Sequence, residues 1–222
     1  MPSGTMHHFC AGTLISSQDV ITAAQCLDGK KAINLRVILG SVDLNFDGHY
    51  YVNYWVTYKN WAIKKNIVVD TDKHEIAIIR LSREVNSQIK PAVISFLSHS
   101  EYVGKVAELA GWGISNDNEM PTTMETVKVE VLSNAECETR SERLGAPKCR
   151  FPARYLFTAA NPYAQLSSGD SGGPLLLNKQ LIGVNHGTCL IPEQIFHSEK
   201  INLHFGVMYY QHFITNILTE YK

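Results

Sequence analysis

Between residues 9 and 208 the chain is a succession of short apolar runs cut by polar turns. The runs at 9–15, 20–23, 35–39, 50–58, 76–81, 106–112, 127–132, 175–177, 181–184 and 203–208 all have strand length. Within 50–58, Val52, Tyr54, Val56 and Tyr58 alternate with Tyr51, Asn53, Trp55 and Thr57, the period of a half-buried strand. Residues 76–81 are apolar except for Arg80, and Asn178-Lys179-Gln180 reads as a hairpin turn. Helical spacing is confined to two places. Residues 133–141 begin with Ser133 as N-cap and Glu136 three positions on, and 209–221 place Tyr210, Phe213, Ile214, Ile217 and Leu218 on one face. Many strands followed by one long terminal helix predict closed β-barrels rather than a βαβ sheet.

At 222 residues the chain suits one large all-β domain, 1–222, or two units sharing a core, with approximate halves 1–100 and 101–222. A net charge of -1 gives no electrostatic ground for binding nucleic acid or an anionic membrane, and no apolar run is long enough to span a bilayer. The five cysteines are scattered, with no C-x-x-C pair, which argues against a zinc or thioredoxin-like site and for an oxidising compartment. Their odd number leaves at least one without an intramolecular partner. No cofactor is expected, and His7 and His8 have no partner that would complete a metal site. Residues 1–8 lack the apolar segment of a signal peptide, so either the start has been removed or the sequence begins part-way into the gene product, while the scattered cysteines point to secretion.

Chemistry concentrates in two motifs. Gly169-Asp170-Ser171-Gly172-Gly173-Pro174 fits G-x-S-x-G, but an α/β-hydrolase elbow needs a helix after the serine. Here Leu175-Leu176-Leu177 and a hairpin turn follow, so the context is loop to strand. The second motif is Val20-Ile21-Thr22-Ala23-Ala24-Gln25-Cys26. Around these stand Phe9-Cys10-Ala11-Gly12-Thr13-Leu14-Ile15-Ser16, Glu75-Ile76-Ala77-Ile78-Ile79-Arg80-Leu81, Ala110-Gly111-Trp112-Gly113 and the final helix, in that chain order. Over almost its whole length the chain resembles the trypsin/chymotrypsin-like serine proteases. The resemblance implies a double six-stranded β-barrel with a C-terminal α-helix, lacking the family's first N-terminal strand.

By that resemblance Ser171 is the nucleophile position, and the N–H groups of Gly169 and Ser171 form the oxyanion hole. Gln25 stands where the family has its histidine base, and Glu75 where it has an aspartate. A glutamine amide does not titrate, so it cannot take a proton from serine. It is still expected to hydrogen-bond Ser171 and Glu75. Losing a triad member typically costs about 10⁴–10⁶ in kcat. His74 adjoins Glu75 but points to the opposite strand face, whereas His186 lines the cleft and is the one candidate for a substitute base.

The resemblance assigns Gln165 to the base of the specificity pocket, in place of the aspartate of trypsin-like members, with His186 and Asn202 as pocket residues. Asn202 replaces a glycine and is expected to fill part of the pocket. Disulfides Cys10–Cys26 and Cys137–Cys149 are implied. Cys189 is expected as a free thiol, because its family partner position is Ser167. Asp170 occupies the position that pairs with the N-terminal ammonium of activated family members. With nine residues before Cys10, it must find other donors, take up a proton or turn to water.

The expectation is a non-catalytic homologue, similar to the inactive ones of arthropods. It acts by binding protein or peptide partners, as a cascade cofactor, decoy, or immune or venom component. Two alternatives compete: a weak or conditional serine endopeptidase using Ser171, and a degenerate gene product.

Overall fold

A computed structural model describes residues 7–69, 74–114, 119–143, 151–189 and 198–220. Twelve strands are present among these. β1 (Thr13–Leu14), β2 (Asp19–Thr22), β3 (Arg36–Ile38), β4 (His49–Thr57) and β5 (Ala77–Leu81) form an antiparallel sheet in the order β1-β2-β5-β4-β3. β6 (Val93–Ile94), β7 (Val106–Gly111), β8 (Glu125–Val131), β9 (Tyr155–Ala159), β10 (Pro174–Leu177), β11 (Gln180–Cys189) and β12 (Ile201–Gly206) form the second. There β10 pairs with both β7 and β11, closing a six-stranded ring, and β6 adds to β11 in parallel. The helices are α1 (Tyr58–Lys64), α2 (His99–Tyr102), α3 (Asn134–Arg143) and α4 (Gln211–Glu220). The expected all-β architecture with a terminal helix is what the chain adopts.

Local chemistry explains most boundaries. Along β4, Tyr50 and Val52 are buried while Tyr51 and Asn53 face water, as the alternation requires. The strand stops at Thr57 because its side chain caps α1, accepting the Asn60 N–H at 3.2 Å. The expected strand 50–58 therefore ends one residue early, and a helix begins at Tyr58. Ser133 caps α3 as expected, its Oγ accepting the Glu136 N–H at 3.2 Å. Arg80, the polar break in β5, lies opposite Asp19 on β2 and binds it through Nε at 2.6 Å. Asp19 is buried and also accepts from Ser16 Oγ at 2.6 Å, so the ion pair carries extra hydrogen bonds.

Four apolar clusters result among the described residues, of which three position the site. One fills the first barrel around Leu14, Val20, Leu27, Val52, Ile79 and Leu81. Another fills the second around Leu109, Val129, Leu156, Leu175 and Ile182. The third joins the barrels, packing Ile15, Ile21 and Ile78 against Leu181, Val184 and Phe205, with Tyr210 just before α4 and Phe213 and Ile217 from it. Trp61 of α1 enters it and donates its Nε1–H to Asn216 Oδ1 of α4 at 2.8 Å. The terminal helix is thereby fixed to both barrels.

Cys10 and Cys26 are bonded, as expected, across a sequence separation of 16. Cys149 and the Cys189 side chain lie outside the described residues, so the expected Cys137–Cys149 bridge and Cys189 thiol fall there. Replacing Cys10 and Cys26 together by alanine is expected to lower stability by about 3 kcal/mol, read by urea unfolding. A loss below about 1 kcal/mol would mean that this loop stays ordered in the unfolded chain.

Candidate functional site

Ser171 lies in the turn before β10, and both barrels hold that turn in place. The Ser171 carbonyl accepts the Ala11 N–H at 2.9 Å from the first barrel. On the other side, Gly172 N–H donates to Asn185 O at 2.7 Å, and Asn185 N–H donates to Gly173 O at 2.8 Å. Gly172 has φ +84°, and a Cβ there would collide with Thr22 Oγ1 and Ala11 O, so the turn requires glycine. The glycine-rich motif is thus explained by its packing before any catalytic role is considered.

Gln25 sits on a 3₁₀ turn, Ala24–Leu27, exposed at the mouth of the cleft. Its Nε2 donates to Ser171 Oγ at 3.1 Å and to the His186 carbonyl at 3.4 Å. Ser171 Oγ in turn donates to that same carbonyl at 3.2 Å. His186 is the bulged residue of β11, lying between Asn185, paired with His204, and Gly187, paired with Leu203. The bulge presents a backbone carbonyl to the serine, while the imidazole packs on Phe205 at 5.0 Å between ring centroids. Burial also pushes the His186 imidazole below the ordinary histidine range. The expected contact between Gln25 and Glu75 is not made among the described residues. Glu75 is half-buried and contributes its backbone carbonyl, which accepts the Ala24 N–H at 3.1 Å. His74 and Glu75 precede β5 rather than lying in a strand, so the expected strand alternation does not apply to them; His74 turns into the core, with Nδ1 3.2 Å from Tyr210 Oη.

The oxyanion loop keeps an ordered shape. Gly169 has φ +103°, and its carbonyl accepts from His8 Nε2 at 3.0 Å. Neither the Gly169 nor the Ser171 N–H is taken by a backbone carbonyl among the described residues. Asp170 turns inward. Its Oδ1 accepts the Gly113 N–H at 2.8 Å, and its Oδ2 accepts the Ser167 N–H at 3.0 Å. Ser167, where the family has a cysteine, also donates its hydroxyl to Ile114 O at 2.7 Å, so it ties this loop to the strand end after β7. Of the three expected fates for Asp170, the structure shows the first: it finds other donors, in the Gly113 and Ser167 N–H groups. Burial pushes its carboxyl above the ordinary aspartate value, although the Ser167 and Gly113 hydrogen bonds and nearby His8 oppose the shift.

The space beside Gln165 is bridged. Asn202, buried on β12, accepts the Leu166 N–H at 2.8 Å and donates to Ala164 O at 3.0 Å. Its side chain therefore spans the gap between β12 and segment 164–166, which the resemblance assigns to the specificity pocket. Behind it, Thr158 Oγ1 stands 2.9 Å from His204 Nε2, and His204 Nδ1 stands 2.9 Å from Asn185 Oδ1. His204 is fully buried and pushed down to about 3, so it is neutral: Nδ1–H donates to Asn185 and Nε2 accepts from Thr158. Sequence reasoning missed this chain of polar residues. The one available signal was His204 on an otherwise apolar run, 203–208, a residue type that needs partners when buried.

Because burial raises the folded carboxyl of Asp170, the native state holds that proton more tightly than the unfolded chain does. Its contribution is full below the ordinary value of 3.8 and is lost as pH rises through the folded value. The stability difference between wild type and Asp170→Asn is expected to shrink from about pH 4 toward about pH 7, measured by urea unfolding at constant ionic strength. A difference that grows with pH would show that the two backbone hydrogen bonds outweigh burial.

Comparison with known proteins agrees with the geometry. The trypsin family model matches residues 1–207. Sarcophaga bullata trypsin is 27% identical over 190 residues, covering 83% of this chain and 70% of that protein. Drosophila melanogaster trypsin iota is 25% identical over 177 residues, covering 80% and 67%. Among solved structures, neuropsin, a serine protease expressed in the limbic system of mouse brain, superposes with a TM-score of 0.75 at 24% identity, covering 95% of this chain and 89% of that one. The scabies mite inactivated protease paralogue S-D1 superposes with a TM-score of 0.77 at 20% identity, covering 95% and 87%. The double β-barrel is thus that of the trypsin-like proteases, and the chain belongs to the trypsin family.

Proposed function

We propose that this chain is a non-catalytic member of the trypsin family that acts by binding protein or peptide partners outside the cell. One observation carries the reading: the hydrogen bonds around Ser171 Oγ. The hydroxyl accepts a hydrogen bond from Gln25 Nε2 and donates one to the His186 backbone carbonyl. A carbonyl or amide oxygen is far too weak a base to remove the hydroxyl proton at neutral pH, and rotating the Gln25 amide would only offer another such oxygen. The imidazole of His186 is turned to Phe205 and the carboxylate of Glu75 is not engaged by Gln25, so neither completes a relay.

Two further features support binding without turnover. The bridge formed by Asn202 closes the space that a long substrate side chain would enter. The same fold also persists in a mite protein described as an inactivated protease paralogue. Secretion is proposed from the Cys10–Cys26 disulfide together with family membership. A second reading, a weak or conditional endopeptidase, draws on the ordered oxyanion loop, with Gly169 at φ +103°.

The test is cleavage of a peptide library scored by mass spectrometry, with wild type beside Ser171→Ala. Equal, background-level cleavage is expected. Cleavage by wild type that Ser171→Ala abolishes would overturn the reading and favour the endopeptidase. Gln25→His alone is expected to remain at least about 10²-fold below trypsin-like turnover, since Glu75 and Asn202 are unchanged.

A further inference from the structure

The loop between β3 and β4 meets the segment that leads into β8. Asp43 forms a β-bridge with Thr123, Leu44 N–H donates to Thr122 O at 2.8 Å, and Met124 N–H donates to Val42 O at 2.8 Å. Trp112 Nε1 adds a third donor from the second barrel, reaching Val42 O at 2.9 Å. Residues of the two barrels are thus stitched into one short antiparallel seam. Val42, Phe46 and Met120 remain 53%, 44% and 38% exposed there. Phe46 and Met120 each lie two residues from the Leu44–Thr122 hydrogen bond, so both loops contribute to the same apolar patch.

The charged residues next to these apolar positions along the two segments have one sign. Asp43, Asp47, Glu119 and Glu125 are all exposed. Segments 39–49 and 119–127 contain no lysine or arginine. None of the four carboxylates enters a salt bridge among the described residues. In a chain of net charge -1 this is a local concentration, not a general acidity. Apolar side chains flanked by carboxylates repel an anionic lipid surface and nucleic acid, and they repel the same patch on a second copy of the chain. They suit a segment that carries apolar side chains between cationic ones. The inter-barrel hydrogen bonds hold the patch in shape, which reduces the ordering cost of binding.

We infer that the seam between residues 41–48 and 119–124 is a docking surface for a basic, apolar-bearing segment of a partner protein. The inference takes from the preceding subsection only that the chain works by binding, and it uses no group of the Ser171 cleft.

The probe is the peptide Lys-Leu-Lys-Phe-Lys-Leu-Lys, with Glu-Leu-Glu-Phe-Glu-Leu-Glu as its counterpart, titrated into the intact protein and followed by NMR. The basic peptide is expected to shift the Met120 methyl, the Val42 methyls and the Trp112 indole N–H, and the acidic one to leave them in place. Affinity is expected to fall about ten-fold between about 0.05 M and about 0.3 M salt, and about ten-fold in V42S/M120S. Ser171→Ala should bind as wild type does, which separates this test from that of the cleft. Absence of binding, shifts elsewhere, equal binding of the acidic peptide, or undiminished binding to V42S/M120S would each overturn the inference.

Discussion

The turn that carries Ser171 is clamped between two barrels by backbone hydrogen bonds. Ala11 of the first barrel donates to the Ser171 carbonyl, and Asn185 of the second pairs with Gly172 and Gly173. The apolar cluster that joins the barrels, with Phe205, Val184 and Ile21 buried beneath α4, keeps the two sides of that clamp in register. None of these interactions involves a side chain that does chemistry. The shape of a protease site can therefore outlast its proton chemistry, because packing and glycine geometry maintain it.

What remains in the cleft is a set of neutral hydrogen bonds. Gln25, Ser171 and the His186 carbonyl satisfy one another, and Asn202 satisfies two backbone groups across the space beside Gln165. Asn185, His204 and Thr158 continue the chain in the interior, with His204 neutral because it is fully buried. Asp170 is held by backbone donors, the Gly113 and Ser167 N–H groups. Buried polar groups without partners would cost roughly 1–3 kcal/mol each, so these mutual pairings stabilise the site independently of any reaction.

Much of this was legible from residue order. The strands whose apolar residues alternate or run together, such as β4, β5 and β7, were visible, as were the cap at Ser133 and the face of α4. β9 was missed because Tyr155–Ala159 is too short to show a period of its own, and its strand state depends on pairing with β8 and β12. α1 was missed because the β4 alternation runs into it, and Thr57 acts as a cap only once Asn60 folds back onto it. Within the site, the residue type of Gln25 was the clearest signal, since a glutamine amide does not titrate. The Gln25–Ser171 hydrogen bond was legible, but the acceptor of the Ser171 hydroxyl was not, since a backbone carbonyl exposed by a bulge leaves no trace in residue identity. His186, the one candidate for a substitute base, presents its main chain to the serine and packs its ring on Phe205.

The central claim is that Ser171 has no titratable base within reach. The most direct measurement is the pH dependence of its covalent labelling by a fluorophosphonate, followed by intact-protein mass spectrometry. Without a base, labelling at neutral pH should stay far below stoichiometric and show no inflection between about pH 5 and about pH 8, rising only as hydroxide does. Stoichiometric labelling at neutral pH, with an inflection in the histidine range, would contradict the account and identify an imidazole acting on Ser171.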